Sequence, residues 1–551
     1  MPYRSHLTWF AILLVPAAWA LAADGSPPAT HPVPPPLRAK LFGMRGFPNV
    51  PAGMDAQQLF PMIDQFGQYR HKDWPGKTRQ AADLTRRRDE EAAALAKDSG
   101  PADWDPYGGW QAGPQLPATG RFRAEKYEGR WWLVDPEGRL FWSHGIDCVG
   151  TSQGVTPITD REHWFAALPE RASPLGQFYG EGNWAPHNYY ENKHYQTYNF
   201  QAANLLAKYG SNWKDKFAVQ AHRRLRSWGM NTIGNWSDPA IAAMRHTPYV
   251  ATIHSGGRHL EGSQGYWGKF ADVFAPSFAA SVRAAVAHEQ DRSANDPWCL
   301  GYFVDNELSW GDELSLAVAT LVSPADQPAK RVLWDDLKAK YGSIQRLNQA
   351  WGTAHGSWDA LLESRAAVDA KQAHDDLAAF ATKFAEQYFR TCRDAVKAAA
   401  PHALYLGCRF AWANDRAVRA AAGFCDVLSF NRYQRDLKGF RLPAGVDRPV
   451  IIGEFHFGAL DRGMFHTGLV PVTGQPARAA AYKAYVGSAI GHPQIVGTHW
   501  FQFSDQATTG RGDGENYQIG FVDVCDTPYA ETVAASREMG QAMYRQRATQ
   551  R

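Results

Sequence analysis

The chain has 551 residues, enough for one large elaborated domain or for two to three ordinary ones. Its 44% hydrophobic and 21% charged residues exclude a disordered or coiled-coil protein. The formal net charge of +3 argues against a nucleic-acid-binding protein, which needs a basic excess on one face. Aromatic residues reach 13%, including 21 tryptophans, which is consistent with stacking on sugar rings or with a large aromatic core.

The first residues have the features of an export signal. Arg4 precedes an apolar run over residues 7–21, and an Ala-Leu-Ala sequence that ends at Ala22 fits the small-x-small cleavage rule. The run is too short to span a bilayer comfortably. We therefore expect residues 1–22 to be a signal peptide cleaved near Ala22, and the protein to be exported to the periplasm or the extracellular space. No other apolar stretch approaches membrane length, so we expect no membrane partner.

The next segments predict a linker, an N-terminal extension and one large domain. Residues 23–40 are rich in proline and predict an extended linker. Residues 41–120 are irregular, except for an amphipathic helix near Ala81–Lys97. Residues 121–547 form the predicted large domain. This domain starts with a hairpin over Arg130–Trp142, because an Asp-Pro-Glu-Gly turn separates two apolar segments.

After the hairpin, short apolar segments alternate with amphipathic helices. Nearly continuous apolar strands separated by helices indicate a parallel sheet covered on both faces. Eight such units predict an α/β fold of the (β/α)8 TIM-barrel type, with long insertions between strands 1 and 2 and between strands 4 and 5. A doubly wound open sheet is the alternative, but the glycine-rich nucleotide loop that usually follows its first strand is missing. The predicted strands are Phe141–Cys148, Met230–Asn235, Tyr249–His254, Cys299–Val304, Leu404–Phe410, Cys425–Phe430, Val450–Phe455 and Val496–Phe503.

The six cysteines are informative through their placement. An even number in an exported protein permits disulfides. Most of them, however, lie in or beside predicted core strands, which favours buried free thiols. No spacing of Cys or His suggests a zinc site, and we predict no metal and no cofactor. The cysteines are Cys148, Cys299, Cys392, Cys408, Cys425 and Cys525.

Polar and aromatic residues follow the predicted strands. In a TIM barrel the active site lies at the carboxyl ends of the strands, so these residues predict a polar cleft with aromatic walls. No glycine-rich phosphate loop and no three-ligand metal spacing is present, so the chemistry must come from side chains. The strand-end residues include Asp147, Asn235, Trp236, His254, Asn306, Glu307, Arg409, Trp412, Tyr433, Glu454, His456, Trp500 and Asp505.

Two of these residues, Glu307 and Glu454, are carboxylates at the exits of very apolar strands. Burial and neighbouring charges can tune the pKa of such groups. Cleavage of a glycosidic bond needs one carboxyl group to protonate the leaving oxygen and another to attack the sugar or to activate water. Strands 4 and 7 face each other across the barrel, which is compatible with about 5–5.5 Å between the carboxyl groups, the retaining geometry. The alternative is that each glutamate caps a helix or pairs with a barrel arginine.

Several segments resemble known glycoside hydrolases. The Asn306-Glu307 pair at the end of strand 4 and Glu454 at the end of strand 7 resemble the motifs of the large clan of retaining TIM-barrel glycoside hydrolases. The segment from Gly453 to His466 resembles the nucleophile segment of the family 50 β-agarases, and Gly512–Phe521 resembles their loop after strand 8. The stretch Lys340–Thr353 resembles an insertion of family 42 β-galactosidases. The resemblance covers roughly residues 120–545.

This resemblance implies roles for particular residues. Glu307 would be the acid/base, Glu454 the nucleophile and Asn306 the partner of the sugar 2-hydroxyl. Tyr433 would hydrogen-bond Glu454, and Trp500 would be the platform under the sugar in subsite −1. Weaker candidates for substrate contacts are His254, Asn235, His456, Arg409, Asp505 and Glu515.

The substrate that the resemblance implies is an agarose-type polysaccharide or oligosaccharide with β-galactosidic linkages. Family agarases commonly carry an N-terminal β-sandwich, and the segment before the hairpin here does not resemble strands. Two alternatives stay open. One is a β-galactosidase or another β-glycan hydrolase with the same glutamate pair, and the other is a non-catalytic sugar-binding protein on a barrel scaffold.

Overall fold

The computed structural model describes residues 35–50 and 53–549. The predicted signal peptide lies outside the described residues. The last part of the predicted linker forms the helical turn α1 (Pro35–Arg38), in which Leu37 is buried.

The described residues form fourteen strands, grouped in three sheets. A three-stranded antiparallel sheet precedes the main sheet, and a second one is inserted after the first strand of the main sheet. In chain order, the strands are β1 (Arg123–Tyr127), β2 (Arg130–Val134), β3 (Leu140–Phe141), β4 (Ser143–Ile146), β5 (Val155–Pro157), β6 (Tyr179–Gly182), β7 (Tyr195–Asn199), β8 (Thr232–Ile233), β9 (Tyr249–Ile253), β10 (Cys299–Val304), β11 (Leu404–Tyr405), β12 (Leu428–Asn431), β13 (Val450–Phe455) and β14 (Ile495–Trp500).

The main sheet has eight parallel strands in the order β11-β10-β9-β8-β4-β14-β13-β12. The two ends of this order also meet. The amide of Phe410, just beyond β11, donates to the Ser429 carbonyl at 2.9 Å, and the Asn431 amide donates back to the Phe410 carbonyl at 2.8 Å. The predicted α/β fold is thereby confirmed, and this curled eight-stranded parallel sheet fits a TIM-like barrel.

Helices surround the sheet. Besides α1, they are α2 (Ala56–Leu59), α3 (Ala81–Lys97), α4 (Phe200–Tyr209), α5 (Trp213–Ser227), α6 (Pro239–Ala242), α7 (Pro276–Ser293), α8 (Ser315–Leu321), α9 (Pro328–Tyr341), α10 (Ile344–Trp351), α11 (Trp358–Glu363), α12 (His374–Ala399), α13 (Asp415–Phe424), α14 (Gln475–Gly491) and α15 (Ala530–Thr549). The helix predicted near Ala81–Lys97 is confirmed. In contrast to a regular barrel unit, no helix separates β12 from β13 in the described chain. Residues 432–449 connect these two strands without a regular helix.

The strands form because their residues can be buried on both faces. Every residue of β10, β13 and β14 is buried, which suits the apolar, β-branched sequence of these strands. The helices contribute one apolar stripe each. In α12 the buried stripe includes Phe380, Phe384 and Tyr388, which pack on aromatic residues that lie before and within α7. The barrel therefore presents only its rim to a ligand.

A buried ion-pair network joins the N-terminal extension to the barrel domain. Asp526, just before α15, accepts hydrogen bonds from Arg224 of α5 and from Lys208 of α4. Glu91 of α3 pairs with the same arginine at 2.7 Å. Four charged side chains from distant parts of the sequence thus neutralise one another inside the protein.

The cysteines of the sequence are all free and buried in the structure, which confirms the predicted thiols. Among the helices that the structure describes, none combines the length and the apolar character that a membrane crossing requires.

Candidate active site

The chain turns sharply where β10 leaves the barrel. Asp305 and Glu307 both have left-handed backbone conformations, with φ of 63° and 52°. Such conformations cost energy in non-glycine residues and persist only where neighbours hold them. Asp305 is held by the amide and hydroxyl of Ser255, both at 2.6 Å, and by the Tyr388 hydroxyl at 2.7 Å. This anchor fixes the direction in which Asn306 and Glu307 leave the strand.

The Glu307 carboxyl group is buried and has two neutral hydrogen-bond donors. Asn431 Nδ2 lies 2.9 Å from Oε1, and Trp267 Nε1 lies 2.9 Å from Oε2. Burial and then the negative charge of Glu454 raise the pKa of Glu307 to about 7, although the two hydrogen bonds act in the opposite direction. Glu307 can therefore carry a proton near neutral pH.

The Glu454 carboxylate is equally buried but has different donors. Arg409 Nη2 lies 2.6 Å from Oε1, and the Tyr433 hydroxyl donates to Oε2. A charged guanidinium and a phenol stabilise the anionic form of a carboxyl group. The predicted hydrogen bond from Tyr433 is present.

Arg409 links this site to the first barrel strand. Its Nη2 also donates to Asp147 Oδ2 at 2.9 Å, and its Nε donates to Asn306 Oδ1 at 2.8 Å. Burial raises the pKa of Asp147, whereas the neighbouring Arg409 charge opposes that rise. One buried cation thus serves two acidic side chains and one amide.

Two amides connect the glutamates. Asn431 Nδ2 donates to Glu307 and, at 3.1 Å, to Asn306 Oδ1. In the sheet register Asn431 is paired with Glu454. Gly453 leaves space for this arrangement, because a Cβ atom there would lie 3.0 Å from both Arg409 Nη1 and Asn431 Oδ1. Five predicted site residues therefore meet in one hydrogen-bonded cluster: Asn306, Glu307, Arg409, Tyr433 and Glu454.

Three further predicted residues surround this cluster. His254 is exposed, and its ring stacks on Trp236, which in turn faces Arg409 at 5.2 Å. Asn235 is buried, and its backbone N–H donates to Asp147 Oδ1 at 2.8 Å. His456 packs on the Tyr433 ring at 4.6 Å and accepts a hydrogen bond from the Leu469 amide. Burial lowers the pKa of His456 to about 3, so this ring is neutral.

Glu515 lies in an ion-pair cluster on the loop after β14. It pairs with Arg511 at 2.8 Å and with Arg45 at 3.3 Å, and Gln506 Nε2 donates to it at 2.8 Å. Asp513 pairs with Arg511 at 2.8 Å and with Arg45 at 3.9 Å. The cluster therefore has no net charge.

The role expected for Trp500 is wrong in this structure. His499 faces the barrel interior, where it contacts Ser143 Oγ and the Phe303 ring, whereas its neighbour Trp500 faces the helices. Trp500 is fully buried against Phe455 and Tyr482, and its Nε1 donates to the Ile519 carbonyl at 2.7 Å. No face of this ring is open to a sugar.

Asp505 also has a different place from the one expected. Its Oδ1 accepts from the Gly520 amide at 2.7 Å, and its Oδ2 accepts from the Tyr529 hydroxyl at 2.5 Å. Burial raises the pKa of Asp505 to about 6. The side chain fastens the loop after β14 to the residues that precede α15, which leaves neither oxygen for a substrate.

Within the part of the chain that the structure describes, no group of three His, Cys, Asp or Glu side chains is arranged to hold a metal ion. The hydrogen-bonded cluster of Glu307 and Glu454 can instead offer a ligand at the rim one carboxyl group whose pKa is raised to about 7 and a second one that accepts from a guanidinium.

Several known proteins are similar to this chain in sequence and in fold. No family model matches the chain. β-Agarase B of Vibrio sp. (strain JT0107) is 37% identical in an alignment of 543 positions that covers 91% of this chain and 56% of that relative. A solved exo-β-agarase is 34% identical with a TM-score of 0.86, over 91% of this chain and 75% of the other. The solved PfGH50B is 32% identical with a TM-score of 0.84, over 91% and 76%.

The chain belongs to glycoside hydrolase family 50. The resemblance to family 50 β-agarases seen in the sequence is thereby confirmed. The chain spans about half the length of the curated relatives that it matches.

Part of the rim of this family 50 chain is formed by residues that the sequence did not indicate. Trp267, in the loop after β9, donates to Glu307, and Tyr266 and Trp184 pack beside it. Arg45, from the N-terminal extension, donates to the Tyr266 and Tyr517 hydroxyls. The Gly-Tyr-Trp-Gly sequence around Trp267 is a usable signal, because two aromatic residues in a glycine-bounded loop have no predicted core to join. Nothing local to Arg45 or Trp184 indicates their position.

Proposed function

We propose that the protein is an exported, retaining glycoside hydrolase that cleaves β-galactosidic linkages of agarose-type polysaccharides or oligosaccharides by double displacement. Glu307 is the acid/base and Glu454 is the nucleophile. The substrate and activity follow the family 50 relatives, and the export follows the signal-like sequence before residue 23.

The observation that carries the proposal is the contrast between the two carboxyl groups. Glu454 accepts from a guanidinium and a phenol, which favour its anion, whereas Glu307 has neutral donors and a pKa raised to about 7. A retaining glycosidase needs this division, since one group must attack while the other donates a proton.

In the first step, a Glu454 oxygen attacks C1 of the galactose unit. The bond from C1 to the leaving oxygen breaks, and that oxygen takes the proton from Glu307. The product is a galactosyl ester of Glu454 and a free leaving sugar. Arg409 and Tyr433 orient the attacking carboxylate. Because Asn306 Oδ1 accepts from Arg409 and Asn431, the Asn306 Nδ2 amide is directed away from these donors and can bind the sugar 2-hydroxyl.

In the second step, ionised Glu307 removes a proton from water, and the water oxygen attacks C1. The ester bond to Glu454 breaks, and both glutamates return to their starting states. The burial of both side chains keeps competing water from the ester until the leaving sugar has departed.

Two variants and a substrate panel test the proposal. Glu307→Gln and Glu454→Gln should keep the melting temperature of the wild type and lose agarose hydrolysis by at least about 10²–10⁴-fold. Asp326→Asn is the matched control, because this carboxylate lies on the surface, where it pairs with Arg258. Wild-type turnover by either glutamine variant would contradict the proposal.

The panel should contain agarose, neoagaro-oligosaccharides, galactans and β-glucans. We expect turnover of the first two. Turnover of galactans or β-glucans alone would keep the glutamate mechanism and overturn the agarose assignment.

A further inference from the structure

Exposed aromatic side chains are concentrated beside the acid/base. Among the described residues, only Trp184, Tyr266 and Val219 are large hydrophobic side chains with more than about a third of their surface exposed, at 54%, 43% and 40%. Exposed aromatic surface that is not used for folding commonly marks a ligand-binding site. The two aromatic members of this group lie together, although they come from different insertions of the barrel.

Trp267 connects both rings to Glu307. Its ring lies nearly parallel to Trp184, with 6.2 Å between centroids and an angle of 19°. Tyr266 meets the same ring edge-on at 4.7 Å. Trp267 Nε1 donates to Glu307 Oε2. Each exposed ring therefore contacts a residue that itself contacts the catalytic carboxyl group.

The positions of the two rings are fixed by their neighbours. Arg45 donates to the Tyr266 hydroxyl and, at 2.8 Å, to Tyr517 and His187. The Tyr195 hydroxyl donates to the carbonyl of Trp184 at 2.7 Å. Ring faces that are held in place bind a ligand with little additional loss of entropy.

The charge around the rings indicates a neutral ligand. Arg45 and Arg511 are balanced by Asp513 and Glu515. Burial and the Arg45 charge lower the pKa of His187, which disfavours a further positive charge at this imidazole. A neutral sugar, with apolar C–H faces and hydroxyl edges, suits two exposed rings with a compensated polar border.

We propose that Trp184 and Tyr266 form a sugar-binding subsite, beyond the reacting unit, that holds a neighbouring neutral sugar of the oligosaccharide by stacking. This inference rests on the proposed function, because it takes the ligand to be a carbohydrate that reaches Glu307. It assigns to the two insertions, after β4 and after β9, a direct part in substrate binding.

Binding to an inactive parent tests the subsite. In Glu454→Gln, which leaves the substrate intact, calorimetry measures the Kd for a neoagaro-oligosaccharide of six sugars. Adding Trp184→Ala or Tyr266→Ala should raise the Kd about tenfold, the size expected for a lost aromatic contact. Tyr266→Phe, which retains the ring, should recover most of that loss. Val219→Ala is the matched control, since it removes the remaining exposed apolar side chain, on α5.

The outcomes separate the two proposals. A parent variant that binds no oligosaccharide would overturn the agarose-type substrate and the subsite with it. The second outcome is a parent that binds the oligosaccharide while Trp184→Ala and Tyr266→Ala have the same Kd as Val219→Ala. This result would overturn the proposed subsite and leave the proposed function standing.

Discussion

Arg409 Nη2 lies 2.6 Å from Glu454 Oε1 and 2.9 Å from Asp147 Oδ2. All three side chains are buried, so water does not solvate the two carboxyl groups. The positive charge of the Arg409 guanidinium stabilises them instead. The arrangement makes Arg409 both a structural cation and the residue that orients Glu454, the proposed nucleophile. Its two functions can be separated by substitution.

Arg409→Lys should keep the fold and lose activity. A lysine supplies the positive charge but not the planar fork that reaches Asn306, Asp147 and Glu454 together. We expect kcat on agarose to fall by about 10²-fold, comparable to the loss of one preorganised donor. Arg409→Met should instead lower the melting temperature strongly, because it leaves buried carboxyl groups without a cation. Wild-type kcat and stability in both variants would disprove this view of Arg409.

The proton on Glu307 should depend on Glu454. The wild-type pKa of Glu307 is raised to about 7 by burial and by the Glu454 charge, so its acid form is lost as pH rises through about 7. Agarose hydrolysis should decline over that range, because the leaving oxygen then receives no proton. In Glu454→Gln the negative charge is absent, and the pKa of Glu307 should fall. Carboxyl ¹³C NMR titration of both proteins measures the shift; an unchanged or higher pKa in the variant would contradict it.

The strands were predictable because their signal is local. Val450-Ile451-Ile452 must be buried on both faces wherever it lies, and eight such segments permit few arrangements. Glu307 and Glu454 were predictable for the same reason, since a carboxylate after an apolar strand points to the rim of a barrel. The free thiols followed from their place in these strands.

The remaining features depend on information that a local pattern lacks. The position of Trp500 at a strand end predicts a place in the cleft, but its side chain packs against Tyr482 on the helix side, and the irregular pairing of β14 with β13 is not visible in the sequence. Asp505 was assigned to substrate for a similar reason and instead bonds Tyr529. Arg45 and Tyr266 are 221 residues apart, and only the fold brings them together.

The buried pair of Asp526 and Arg224 should be important for stability. Asp526→Asn removes the buried negative charge between Arg224 and Lys208 and should lower the free energy of unfolding by about 3–5 kcal/mol. Asp336→Asn, which breaks an exposed pair with Lys383, is the control and should change it little. Urea unfolding followed by circular dichroism measures both, and equal stabilities would contradict the importance of the network.

The pKa of Asp526 also predicts how the free energy of unfolding depends on pH. Burial opposes ionisation, but the charges of Arg224 and Lys208 hold the pKa of Asp526 below its ordinary value of 3.8. A depressed folded pKa contributes stability above the ordinary value, and that contribution is lost as pH falls below it. The difference in stability between wild type and Asp526→Asn should therefore shrink on acidification below about pH 4.

The stereochemistry of the first product tests the double displacement most directly. Proton NMR during the first minutes of hydrolysis of a β-linked neoagaro-oligosaccharide distinguishes the anomers before they equilibrate. Two successive inversions at C1, first by Glu454 and then by water, should release the β-anomer first. If the α-anomer appears first, water attacks C1 directly, and Glu454 is not the nucleophile.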